Sequence, residues 1–117
     1  MTKEYIGIKQ VTAWPETRDG KEGYAVKYAD GYTSWSPKDV FEAAYIDIGH
    51  VSHLPPHQQR VIGERAIVDN WRTKLNAFFG TEFFKTVNGA EQGRLANQYA
   101  AMNVYSDILG ERIKAFD

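Results

Sequence analysis

Gln98, Tyr105 and Arg112 stand seven residues apart and so line one edge of a helix with an amide, a phenol and a guanidinium. Beside them Leu95, Met102, Leu109 and Phe116 repeat at the same interval as an apolar stripe, with Tyr99 and Ile113 on its other flank. An edge that grades from packing atoms to hydrogen-bond donors and a fixed cation suits an interface that also holds a small polar or anionic ligand. The same pattern describes the solvated border of a coiled-coil seam, in which the three side chains bind nothing.

Other constellations carry less chemistry. His50, His53 and His57 would offer three imidazoles to zinc on a helix, but Pro55 and Pro56 interrupt the segment and no fourth ligand accompanies it. It reads as a histidine-rich connector, and no metal site is expected. Asp39 and Glu42, one turn apart, fall in the first turns of a short helix, where acids favour the dipole. No G-x-S-x-G elbow, phosphate loop or dinucleotide fingerprint occurs, and no nucleophile has a recognisable base, so neither an enzyme nor a cofactor is expected. Among Arg60, Arg65, Arg72, Lys74, Arg94, Arg112 and Lys114, most read as solvated helix-surface charges with acids such as Glu64 and Asp69 nearby. Arg112, beside the stripe, and Arg60, at a helix start, are the candidate ligand cations.

The elements that position these groups are two long amphipathic helices, Arg60–Phe79 and Ala90–Phe116, forming an antiparallel hairpin. On the first, Ile67, Trp71, Leu75 and Phe78, extended by Val61 and Ala66, form the apolar side. Pro55-Pro56 sets its start near His57, and Gly80 is placed to end it in the left-handed conformation. Thr81 caps a short turn, Thr81–Lys85, that brings Phe83 and Phe84 into the corner, and Asn88-Gly89 resets the chain. Upstream, Tyr5–Ala13, Gly23–Tyr28 and Tyr32–Trp35 read as strands separated by turns at Asp19-Gly20 and Asp30-Gly31. Ser36-Pro37-Lys38-Asp39 then starts a helix from Pro37 to about Tyr45, with Ser36 as its cap and Val40, Phe41 and Ala44 as its apolar side. The fold class is α+β: an antiparallel meander with one short helix over residues 1–54, then a helical hairpin over 55–117. Helices of this length, roughly 30–40 Å, outrun what the small unit can cover, so a second hairpin is the economical cover and at least a homodimer is expected.

Fourteen basic against fifteen acidic residues, a formal net charge of −1, disfavour a partner as anionic as long nucleic acid. A small nucleotide needs only two or three local cations. Aromatic residues make up 14% of the chain, enough both to pack and to stack on bases. There is no cysteine, and no apolar run long enough to cross a bilayer or to serve as a secretory leader, so a soluble cytoplasmic protein is expected.

Tyr5-Ile-Gly-Ile-Lys and the run from Gly31 to Tyr45, G-Y-T-S-W-S-P-K-D-V-F-E-A-A-Y, resemble a widespread phage N-terminal module that precedes different C-terminal parts. The closing segment, E-Q-G-R-L-A-N-Q from Glu91, then Met102 and Y-S-D-I-L-G-E-R-I from Tyr105, resembles the helical-hairpin domain shared by the first type of phage Thoeris anti-defence protein and an anti-CBASS sponge family. The presence of a sheet fits the Thoeris type better. This resemblance implies a non-enzymatic sponge that hides glycocyclic ADP-ribose signals made by bacterial TIR-domain sensors, in the cytoplasm of an infected host. Some members also bind cyclic oligonucleotides at separate sites, and members assemble through their hairpins, commonly as hexamers built from dimers. By the same resemblance Phe84, Gln98 and Arg112 match the ligand-binding positions best, Tyr105 and Arg94 come next, and Arg60 matches an oligonucleotide site. Compared with relatives carrying a long insertion between the first strands, the chain is short at Glu16–Glu22. Two other readings stay open: a phage interaction protein whose hairpin blocks a host protein, and a small nucleotide-processing enzyme.

Overall fold

The computed structural model describes residues 1–116, and the chain folds as two compact units, Met1–Ile46 and a second from Asp47 onward. The first unit is an antiparallel three-stranded meander in the order β1 (Thr12–Pro15), β2 (Gly23–Lys27), β3 (Thr33–Pro37), followed by α1 (Lys38–Ala44). Ala25 faces Trp14 on one side and Trp35 on the other, so two indoles flank a methyl group that is only 1% exposed. Gly23 is required here, since a Cβ would run into the Trp35 ring and the Ser36 carbonyl. The Trp35 ring is fixed by its Nε1–H, which donates to the Glu16 carbonyl at 2.8 Å. Asp19 and Gly20 both adopt positive φ between Arg18 and Lys21, whose backbones exchange two hydrogen bonds, the two-residue hairpin their chemistry predicts. Asp30-Gly31 instead ends a three-residue loop closed by Tyr28 and Tyr32, with the Asp30 carboxylate accepting the Tyr32 N–H.

Two expectations for this unit are corrected. The strand expected over Tyr5–Ala13 forms only over Thr12–Pro15, because Thr12 already pairs with Lys27, the last residue of β2, and earlier residues run beyond their partner. Ser36 does not cap α1; it belongs to β3 opposite Tyr24, and Pro37 takes the cap position without a side-chain bond. Of the expected apolar side, Phe41 packs, stacking between Tyr24 at 4.4 Å and Tyr45 at 4.9 Å, whereas Val40 stays exposed. Asp39 lies in the first turn of α1, and Glu42 accepts the Tyr24 hydroxyl at 2.6 Å.

The second unit is the hairpin of α2 (Pro56–Phe79) and α3 (Gly89–Lys114), joined through a 3-10 turn at Phe83–Thr86. Asn88 caps α3 by accepting the Glu91 N–H at 2.9 Å. Gly80 ends α2, but at φ −89 rather than in the left-handed region. Thr81 makes the left-handed turn unnecessary: its Oγ1 donates to the Phe78 carbonyl at 2.7 Å and accepts the Phe84 N–H, satisfying both ends of the corner. Neither long helix is long and apolar enough to cross a membrane.

Along α3 the expected stripe packs: Leu109 is 1% exposed, with Met102, Ile113 and Phe116 against it. The facing side of α2 is the expected one only in part: Val61 packs as expected. Val61 and Val68 enter the seam, together with Arg65 and Arg72, whereas Trp71 keeps 55% of its surface exposed. The physical reason is a polar layer across the seam. Ser106, itself buried, donates to Asp69 at 2.6 Å, and Asp69 also takes Arg72 at 3.3 Å and lies 3.8 Å from Arg65. Arg72 reaches on to the Asn103 amide oxygen at 3.3 Å, and the Arg65 guanidinium lies against Gly110, where a Cβ would approach within 2.9 Å. Arg65 and Arg72 are therefore members of the seam rather than the solvated charges their composition suggests, their stems packing while their heads share one acid.

These contacts set two stability expectations. Leu109→Ala should lower unfolding free energy by about 2–5 kcal/mol in urea denaturation, the usual cost of a cavity at a fully buried leucine. Asp69→Ala should cost about 1–3 kcal/mol because it strands the buried Ser106 hydroxyl and two guanidiniums. Glu82→Ala, which removes an exposed ion pair with Lys85, serves as the control and should change stability by less than about 0.5 kcal/mol.

A candidate ligand face on the hairpin

Asp69 opposite Ser106 and Arg72 opposite Asn103 fix the register of α2 against α3, and the seam residues fix which way each helix faces. At 100° per residue, the polar layer occupies one edge of the seam. The opposite edge carries Arg60, Trp71 and Phe78 from α2 and Arg94, Gln98, Tyr105 and Arg112 from α3 on one side of the hairpin. Within that register Arg60 and Arg112 fall within about a turn of each other, Trp71 lies level with Tyr105, and Gln98 lies toward the corner.

The individual environments differ. Arg60, Gln98 and Arg112 are exposed, and Tyr105 keeps 43% of its surface open. Arg94 is also exposed, and its Nε donates to Glu91 at 2.7 Å. Phe84 is half-buried and packs edge-on against Phe78 at 5.6 Å and Phe79 at 5.1 Å, with Tyr99 meeting Phe79 at 5.6 Å. Its backbone is held as well, since Gln92 Nε2 donates to the Phe84 and Val87 carbonyls at 3.0 Å. Among the described residues no side-chain hydrogen bond, ion pair or ring contact joins any two of Arg60, Phe84, Arg94, Gln98, Tyr105 and Arg112. Five of the six share an open face, and Phe84 belongs to the aromatic corner at its end.

Sequence reasoning placed Trp71 on the packed side of α2, whereas the structure has it as an exposed ring of the open face. Phe83 lies in the corner as expected, 6.1 Å from the Phe78 ring, and keeps 68% of its surface open. A signal for Trp71 existed in the spacing of Arg65 and Arg72 against Ser106 and Gly110, which marks a polar seam and turns the Trp71 side outward. A depression of about 470 Å³ lies instead in the first unit, lined by Lys21, Lys38, Glu22, Asp39 and Glu42. Its acids outnumber its lysines, so it does not favour an anion. Among the described residues no cluster of histidine, cysteine and carboxylate side chains is grouped to hold a metal ion.

The face and the corner lie wholly within a segment that matches a family model. Comparison with curated proteins and with solved structures returns no match. The Sequestin family model matches residues 55–115, which span both helices of the hairpin and the turn between them. That match covers more than half of the chain, and the protein belongs to the Sequestin family.

Proposed function

We propose that the protein is a phage anti-defence sponge that binds glycocyclic ADP-ribose signals made by TIR-domain Thoeris sensors and holds them without degrading them. The observation that carries this reading is the coincidence of the Sequestin match, residues 55–115, with the hairpin whose open side presents Arg60, Gln98, Tyr105 and Arg112. A family named for sequestration fits a protein that captures rather than converts, and the cytoplasm of an infected bacterium is where such a signal would be met.

The chemistry of the face supports a nucleotide of this kind. Trp71 and Tyr105 offer rings for a base, Gln98 offers an amide that both donates and accepts, and Arg112 and Arg60 offer cations for a pyrophosphate. Phe84 and the exposed Phe83 add aromatic surface at the corner end, and Arg94 adds a further cation there. Nanomolar capture corresponds to about −12 kcal/mol, more than side chains on one open face provide. A second hairpin laid over the first would desolvate these groups and cover Trp71, so the functional unit in this account is a homodimer or a hexamer built from dimers. Cyclic oligonucleotides are a second ligand class, for which Arg60 is the proposed contact, and neither a cofactor nor long nucleic acid is part of the scheme.

The exposed Trp71, Val104 and Ile108 also favour a second reading, in which the hairpin covers a host protein. Calorimetric titration separates the two. Wild-type protein should bind one of the 1″–3′ or 1″–2′ isomers, and Arg112→Ala should weaken that binding by about tenfold to a hundredfold, the value of one charged hydrogen-bond donor, without changing the assembly mass. Equal affinity in the two proteins would remove Arg112 from the site, and no heat with either isomer or with cyclic oligonucleotides would favour the host-protein reading.

A further inference from the structure

Three contacts between the long helices, Arg72 to Asn103, Asp69 to Ser106 and Arg65 to Gly110, set which residues of α2 and α3 stand level. By that register two facing rows line the open edge of the hairpin. Glu64, Trp71 and Phe78 stand seven apart on α2, and Arg112, Tyr105 and Gln98 stand seven apart on α3. The helices run antiparallel, so Glu64 falls opposite Arg112, Trp71 opposite Tyr105 and Phe78 opposite Gln98. Glu64 is the acid of these rows. It borders the seam three residues after Val61, on the side away from Asp69, and is half-buried. Arg60 lies one turn before it and Arg112 across from it, so the carboxylate stands between two guanidiniums. Among the described residues its side chain nevertheless makes no hydrogen bond or ion pair, and the seam arginines, Arg65 and Arg72, are served by Asp69 instead.

We propose that Glu64 is a ligand-binding residue of this face, the acceptor for a ribose hydroxyl, and that it sets which way round the ligand lies. The inference rests on the reading of the hairpin as a site for an ADP-ribose. Such a ligand joins a pyrophosphate to two riboses, so its anionic centre is flanked by hydroxyl donors. Guanidiniums only donate, so they serve the phosphates and leave the hydroxyl protons without an acceptor. A carboxylate only accepts, and it repels phosphate at the same short range. Set between Arg60 and Arg112, Glu64 admits the sugar where it stands and holds the phosphates toward the cations. An acid bonded to ribose hydroxyls is also how dinucleotide sites read that sugar. The rings of Trp71 and Tyr105 lie about 10 Å farther toward the corner, within reach of a base carried by that ribose. Were Glu64 only a counter-charge on the face, its removal would leave two unopposed arginines and tighten the binding of a dianion. The two roles therefore predict opposite signs.

Calorimetric titration of the full-length wild type, Glu64→Ala and Glu64→Gln with the 1″–3′ and 1″–2′ isomers of glycocyclic ADP-ribose reads that sign. Glu64→Ala should weaken binding of the isomer the wild type prefers by about tenfold to a hundredfold, the value of a hydrogen bond to a charged group. Glu64→Gln keeps an acceptor oxygen in the same place and should lose less. Both variants should keep the wild-type melting temperature, since the carboxylate holds no partner within the fold. Equal or tighter binding by Glu64→Ala, with the wild type binding, would overturn this inference and leave the sponge reading standing. No binding of either isomer by the wild type would end the sponge reading and this inference with it.

Discussion

Asp69 is shared. One carboxylate on α2 accepts the buried Ser106 hydroxyl from α3, takes Arg72 at 3.3 Å and lies 3.8 Å from Arg65, along one edge of a seam whose apolar side chains include Val61, Val68, Met102 and Leu109. A polar layer in an apolar seam restricts the ways two helices can meet, because a slip of one turn would part the Ser106 hydroxyl from Asp69 and Arg72 from Asn103. The small side chains of α3 make it possible. Gly110 gives the Arg65 guanidinium a surface to lie against, and Ser106 is short enough to sit under Asp69. The layer therefore sets both the register and the rotation of the hairpin.

Rotation is what matters for function. With Arg65 and Arg72 turned inward, Trp71 is turned outward, to the same side as Tyr105, Gln98 and Arg112. Had Trp71 filled the seam, the hairpin would present a largely polar exterior. The arrangement leaves a side that combines aromatic rings with fixed cations, and solvated side chains of this kind bind tightly only when water is excluded from them. In the proposed account the open apolar surface that a second hairpin would cover is also the one that would meet the ligand, so assembly and capture would go together.

How much of this was legible in the sequence depended on whether the cause was local. The turn at Asp19-Gly20, the cap at Asn88 and the stripe of Met102, Leu109 and Phe116 follow from residue chemistry and spacing, and the structure has them all. The length of β1 was not legible because it is set by where β2 ends. The facing side of α2 was legible at Val61 but misread at Trp71, because counting apolar residues favours Trp71, whereas the seam takes the arginines that Asp69, Ser106 and Asn103 bond. The left-handed end expected at Gly80 lost to a side chain one residue on, Thr81, that bonds the last carbonyls itself. Gln98, Tyr105 and Arg112 were legible as a line along α3 because they border a stripe that does pack. The partners of Phe84 depend on how the corner folds, and no spacing reveals that.

The claim that the hairpin captures an intact signal is tested most directly by release. Purified protein would be incubated with 1″–3′ and 1″–2′ glycocyclic ADP-ribose, separated from free ligand and denatured by heat, and the supernatant analysed by chromatography. The account predicts that one isomer is retained with the protein and recovered chemically unchanged. Recovery of a cleaved or rearranged product would make the protein an enzyme, and failure to retain either isomer would contradict the account.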